Sequence, residues 1–98
     1  MIAGTPAWLA EALRNPEITD ICLNGARAAF VDSGLGMQAV PESEDSWNDE
    51  DMRTWVLQLL ASAGKTWDAR HPFIDTSLDS GHRLHVAFPP LARQGILV

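Results

Sequence analysis

Between residues 49 and 63, the apolar side chains Met52, Trp55, Val56, Leu59, Leu60 and Ala63 recur at intervals of three and four. That spacing puts them on one stripe of an α-helix. A helix with one apolar stripe must lay it against a second layer, so the segment demands a partner surface elsewhere in the chain. It also carries its own boundaries. Asn48 followed by Asp51 resembles a capping box with Asp for the usual Glu, and Asp49, Glu50 and Asp51 suit the positive helix N-terminus. Gly64 and Lys65 are an ordinary helix stop.

The rest of the chain supplies strands for that surface. Ile18–Leu23 is rich in Ile and Thr and precedes Asn24-Gly25, a two-residue hairpin signal. With a returning strand at Arg27–Asp32, the expected pairing sets Ile21 opposite Ala28 and Thr19 opposite Phe30. Leu23, Ile21, Ala28 and Phe30 then share one face. Asp32-Ser33-Gly34 turns the chain again, into a third strand from Leu35 to about Val40 in which Leu35, Met37 and Ala39 alternate. A last hairpin, Phe73–Leu78 and His82–Phe88, surrounds Asp79-Ser80-Gly81. Its apolar sets Ile74, Thr76, Leu78 and Leu84, Val86, Phe88 coincide on one face only if the loop has an odd number of residues. A loop of residues 79–81 therefore pairs Ser77 with Arg83 and Asp75 with His85. Ahead of all this, Thr5 can cap a short helix with Pro6 in its first position, Trp8, Leu9, Ala12 and Leu13 on one side, and Asn15-Pro16 as its end. Pro41–Asp49 reads as an acidic loop, Pro89-Pro90 ends the last strand, and Ile96–Val98 looks like the start of another. The expected fold is α+β: an antiparallel sheet of hairpins of PAS-like build, covered on one face by one short and one long helix. Residues 1–98 form one domain.

Composition narrows the function classes. Thirteen acidic against seven basic residues give a net charge of −6, which disfavours nucleic acid and anionic membranes as partners, since phosphate backbones need clustered Lys and Arg. The single cysteine, Cys22, forms no intrachain disulfide, and no apolar run approaches a membrane span. A cytoplasmic location is expected.

Catalytic motifs are scarce. There is no G-x-x-x-x-G-K-[ST], G-x-G-x-x-G or G-x-S-x-G. Gly64-Lys65-Thr66 has the tail of a phosphate loop but ends a helix instead of opening one. His82 and His85, three apart near a strand, point to opposite faces, so no metal site is expected. Asp75 opposite His85 is either a polar cross-strand pair or an acid–base pair of a small enzyme, which would need an apolar pocket around it. Cys22 reads as a strand-buried small residue. Trp55 and Trp8 are expected in the core, while Trp47 and Trp67 are open between core and contact roles. Arg83, beside the Gly81 turn, is either a surface arginine paired with Asp75 or Asp79 or a bidentate phosphate contact.

Three blocks together resemble the N-terminal domain of CpaF-type secretion and pilus-assembly ATPases, in the type II/IV secretion superfamily. Ile18-Thr19-Asp20-Ile21-Cys22-Leu23-Asn24-Gly25 is similar to that family's I-T-D-I-x-[IV]-N-G. Gly64-Lys65-Thr66-Trp67-Asp68, followed by Pro72-Phe73-Ile74-Asp75, is similar to G-R-x-[ILW]-[DN] and P-x-V-D. Leu78-Asp79-Ser80-Gly81-His82-Arg83-Leu84-His85-Val86, running into Pro89-Pro90-Leu91-Ala92, is similar to L-x-D-G-S-R-[VL]-[HN]-[AV] and P-P-[LV]-[AS]. Ser80 stands where the family usually has Asp, and His82 where it has Ser. The resemblance implies a non-catalytic domain of a longer hexameric motor. The motor's phosphate loop, Mg²⁺ and ATP chemistry would belong to a C-terminal RecA-like domain outside these residues. It implies that Arg83, with Gly81 letting the backbone approach, reaches nucleotide phosphates. The implied partners are its own ATPase domain, neighbouring subunits of the ring and inner-membrane secretion platform proteins. A freestanding α+β interaction or ligand-binding module, with no role in ATP turnover, is the alternative.

Overall fold

The computed structural model describes residues 4–26, 28–41, 47–66 and 73–88. The element order is α1 (Ala7–Arg14), β1 (Asp20–Asn24), β2 (Ala29–Asp32), β3 (Met37–Ala39), α2 (Asp49–Ser62), β4 (Phe73–Ser77) and β5 (Arg83–Ala87). The strands form one five-stranded sheet in the order β3-β2-β1-β5-β4. The α+β class is as expected, and both helices bury residues against one side of the sheet. The core joins Leu9 and Ala12 of α1, Met52, Trp55, Val56 and Leu60 of α2, and Ile21, Leu23, Ala29, Ile74, Leu84 and Val86 from four strands. The expected hairpins β1–β2, β2–β3 and β4–β5 are all antiparallel. The sheet as a whole is mixed, because the last hairpin docks with β5 parallel to β1. No local turn connects those two strands, so nothing in the adjacent sequence announces their direction.

Helix α2 forms for the reasons its sequence states. Asn48 Oδ1 accepts from the Asp51 N–H at 2.7 Å, and Asp51 Oδ2 accepts from the Asn48 N–H at 3.4 Å, completing the capping box. At the other end Gly64 takes φ +72°, the Lys65 N–H reaches the Leu60 carbonyl at 2.8 Å and the Gly64 N–H the Ala61 carbonyl at 3.1 Å. These are the two bonds of a Schellman stop, and the positive φ is why glycine sits there. Ala63, placed on the apolar stripe by its spacing, is exposed, because the helix has already ended at Ser62. Helix α1 differs from expectation at its start. Pro6 is the N-cap and gives no side-chain cap. The Thr5 hydroxyl instead accepts from the Trp55 indole N–H at 2.7 Å, tying the start of α1 to α2.

The last hairpin has the register that parity required: Ser77 faces Arg83, Asp75 faces His85, and the Leu78 N–H meets the His82 carbonyl at 2.8 Å across the loop. Gly81 has φ +94°. The first hairpin does not have the expected register. Asn24 N–H donates to the Ala28 carbonyl at 2.8 Å, Leu23 faces Ala29, and Ile21 faces Val31 instead of Ala28. The shift is an odd number of residues, so the faces of β2 exchange: Ala29 is buried with Ile21 and Leu23, while Phe30 lies opposite Cys22 on the other face. Two distant groups hold the longer loop. Asp49 Oδ1, at the start of α2, accepts from the Ala26 N–H at 2.9 Å, and the Gly25 N–H donates to the Ala87 carbonyl at 3.0 Å.

Strand β3 is an edge with Met37, Gln38 and Ala39 all exposed, and Leu35 precedes it at 83% exposure. Trp47 is buried and packs edge-on against Trp55, centroids 5.7 Å apart, so it is a core residue and not a contact residue. Trp8 is half-buried against the core. Trp67, the Pro89-Pro90 stop, the Ile96–Val98 segment and most of the acidic loop lie outside the described residues.

Candidate functional site

Strand alternation sorts the remaining side chains onto the sheet face away from α1 and α2. The register sets Asp20 beside Arg83, Cys22 beside His85 and His85 beside Asp75, so these five residues share that face across β1, β5 and β4. Here the candidates meet. His85 Nδ1 lies 2.6 Å from Asp75 Oδ1, and Nε2 lies 3.0 Å from Asp20 Oδ1. The same Asp20 oxygen accepts from Arg83 Nε at 3.0 Å, while Asp20 Oδ2 accepts from the Thr19 hydroxyl at 2.8 Å.

The centre of this network is Asp20, whose role the sequence reading did not identify. Its side chain is 12% exposed, against 64% for Arg83, 31% for His85 and 78% for Asp75. A carboxylate so enclosed needs donors, and it has three. The hydrogen bond from His85, then that from Thr19, with Arg83 adding both a hydrogen bond and its charge, outweigh burial and lower the Asp20 carboxyl from 3.8 to about 2. His85 moves the other way. Hydrogen bonds to Asp20 and then Asp75 raise its pKa above the usual imidazole value. The geometry explains the direction, since only the imidazolium can donate from both nitrogens at once.

Arg83 therefore pairs with Asp20, not with Asp75 or Asp79 as its neighbours on the hairpin suggested. Its position stands beside the turn on the helix-free face, two residues after the positive-φ Gly81. Asp75 and His85 form the expected cross-strand pair. Neither the cleft at Leu59 and Leu78 nor the shallower one at Trp8 and Ile18 is lined by either of them. The larger, about 270 Å³, lies between the end of α2 and the β4–β5 turn, lined by Leu13, Leu59, Leu60 and Leu78 with Lys65 at its rim. Lys65 is engaged there by the Thr76 hydroxyl and the Ser77 carbonyl, at the end of a helix, so Gly64-Lys65-Thr66 is not built as a phosphate loop.

The two histidines separate as alternation required. His82 is buried, its Nε2 3.0 Å from the Asn15 carbonyl and its Nδ1 2.7 Å from the Ser80 hydroxyl. A carbonyl only accepts, so Nε2 carries the proton, and the ring pins the last turn to the end of α1. Ser80 and His82 are thus hydrogen-bonded to each other. No group of three or more His, Cys, Asp or Glu that could hold a metal occurs among the described residues. Cys22 is half-buried, and burial followed by the charge of Asp75 raises its thiol pKa, which disfavours the thiolate. No helix among the described residues is long and apolar enough to cross a membrane.

Asp20 was findable in principle: an acidic residue at the head of an otherwise apolar strand is a signal. What placed it beside Arg83, 63 residues away, is the parallel pairing of β1 and β5. In comparisons with known proteins, no family model, curated protein or solved structure matches this chain.

Proposed function

We propose that this chain is the N-terminal domain of a CpaF-type secretion or pilus-assembly ATPase, in which Arg83 contacts the phosphates of ATP bound chiefly by a C-terminal RecA-like domain. The observation that carries the reading is the setting of Arg83: a largely exposed guanidinium beside a positive-φ glycine turn, anchored at its root by an enclosed carboxylate. An arginine offered from one lobe neutralises charge that develops during phosphoryl transfer on the other. In this reading the described residues would form one side of such a cleft, and the sequence carries no G-x-x-x-x-G-K-[ST] to form the second. Mg²⁺ and the β- and γ-phosphates would be held by the partner domain. Closure of the two lobes would pass to neighbouring subunits of a homo-hexamer, working in the cytoplasm against inner-membrane platform proteins.

The test is Arg83→Ala in the full-length polypeptide. It lowers kcat for ATP by about one to three orders of magnitude, at or below the low end of what an arginine finger contributes, with folding intact. Unchanged turnover disposes of the Arg83 role. A phosphate loop in the ~200 residues that a following domain occupies is the sequence-level check. The competing reading, a freestanding ligand-binding module, has the apolar cleft at Leu13, Leu59, Leu60 and Leu78 on its side, and a stop codon directly after Val98 favours it.

A further inference from the structure

The reading of Arg83 as a phosphate contact has a structural requirement of its own. An exposed arginine on a strand has many rotamers, and each must be given up when it grips a phosphate. Here the Nε–H is already donated to Asp20 Oδ1 at 3.0 Å. The contact engages the nitrogen at the root of the guanidinium fork. Asp20 is itself held, by the Thr19 hydroxyl on Oδ2 and by His85 on Oδ1, and His85 is braced by Asp75 on the next strand. The charged groups around Asp20 on this face are thus Arg83 and His85 from β5, Asp32 directly opposite it on β2, and Asp75 of β4 behind His85. An enclosed, multiply bonded base carrying an exposed tip is the arrangement that preorganises a side chain for a ligand.

Resting on that reading of Arg83, we infer that Asp20 is its positioning residue: it does not touch nucleotide but sets the guanidinium at the angle from which it meets a phosphate. Charge alone would make Asp20 a hindrance, since a carboxylate 3.0 Å from Nε weakens attraction for an anion. Its benefit has to be geometric, and the two effects separate kinetically. Removing the carboxylate leaves the ground-state attraction for ATP as strong or stronger, while turnover suffers because the fork is no longer aimed.

The experiment is a double-mutant cycle in the full-length ATPase, with Asp20→Ala, Arg83→Ala and both together, reading kcat and KM for ATP. Asp20→Ala lowers kcat about ten- to a hundredfold and does not raise KM. The double variant has the kcat of Arg83→Ala alone, because Asp20 acts only through Arg83. Asp20→Asn, which keeps an acceptor for Nε, recovers part of the lost kcat. A kcat unaffected by Asp20→Ala while Arg83→Ala impairs turnover overturns the positioning role and leaves the proposed function standing. Losses that multiply in the double variant do the same. If Arg83→Ala itself has no effect, the proposed function fails and the positioning role with it. Should Asp20→Ala not fold, the same cycle with Asp20→Asn applies the same criterion of non-additivity.

Discussion

Replacing Asp20 by Asn keeps the shape and one acceptor oxygen while removing the charge that the network is built around. The size of the effect follows from the titration of the carboxyl. Moving an aspartate from 3.8 in the unfolded chain to about 2 in the folded one corresponds to about 2 kcal/mol of stability. Water reaches this face, with Arg83 64% exposed, so about 1 kcal/mol is the expected difference once solvent screening is included. The sign is fixed by the direction of the shift. A lowered carboxyl contributes in full above 3.8, and its contribution is lost as pH falls through the folded value near 2. His85, raised, contributes in full below 6.5 and loses its contribution as pH rises through its folded value. The contribution of this network to stability is therefore greatest between these limits. Urea unfolding of both proteins at a series of pH values measures the gap between them. It is constant at about pH 5 to 6 and closes toward about pH 2. In the variant the alkaline limb flattens too, because Asp20 is the first cause of the His85 shift. A gap that stays constant from about pH 5 to about pH 2 would falsify the account of Asp20 as a donor-stabilised carboxylate.

The other predictions concern the scaffold. Leu84 is fully buried in the strand that joins the two hairpins, so Leu84→Ala leaves a cavity beneath both helices and costs about 2–5 kcal/mol by urea unfolding. A cost below about 1 kcal/mol places that side chain outside a packed core. Asn48→Ala removes the acceptor for the Asp51 N–H and should cost about 1 kcal/mol. Asn48→Asp, which keeps that acceptor, should lie within about 0.5 kcal/mol of wild type in the same assay.

Elements whose signals are local and self-consistent were readable residue by residue. The α2 stripe, its capping box and its glycine stop are all set within one stretch of chain, where side chains three and four apart reach one another and the terminal N–H groups find their acceptors nearby. The β4–β5 register followed from parity alone, because an odd loop is the only one that puts Ile74, Leu84 and Val86 on a common face. With the register came the Asp75–His85 pair. The first hairpin shows where such reasoning stops. Asn24-Gly25 is a turn signal, yet the N–H groups of Gly25 and Ala26 are taken by Ala87 and Asp49, and these distant acceptors outweigh the local preference for a tighter turn. The candidate site divides along the same line. Arg83, His85 and Asp75 come from one hairpin and were visible together.

Asp20, which organises them, lies in β1, three strands before that hairpin begins, and reaches them only through the parallel docking of β5 on β1. The sequence by itself determined which segments are helix and strand and which face of the last hairpin is polar, because those depend on periods of 3.6 and 2 and on short-range bonds. Only the tertiary structure decided which edges meet and which carboxylate Arg83 leans on. Packing one hairpin against another is a choice between surfaces of similar apolar character, and burial of the whole core settles it, not any residue near the join.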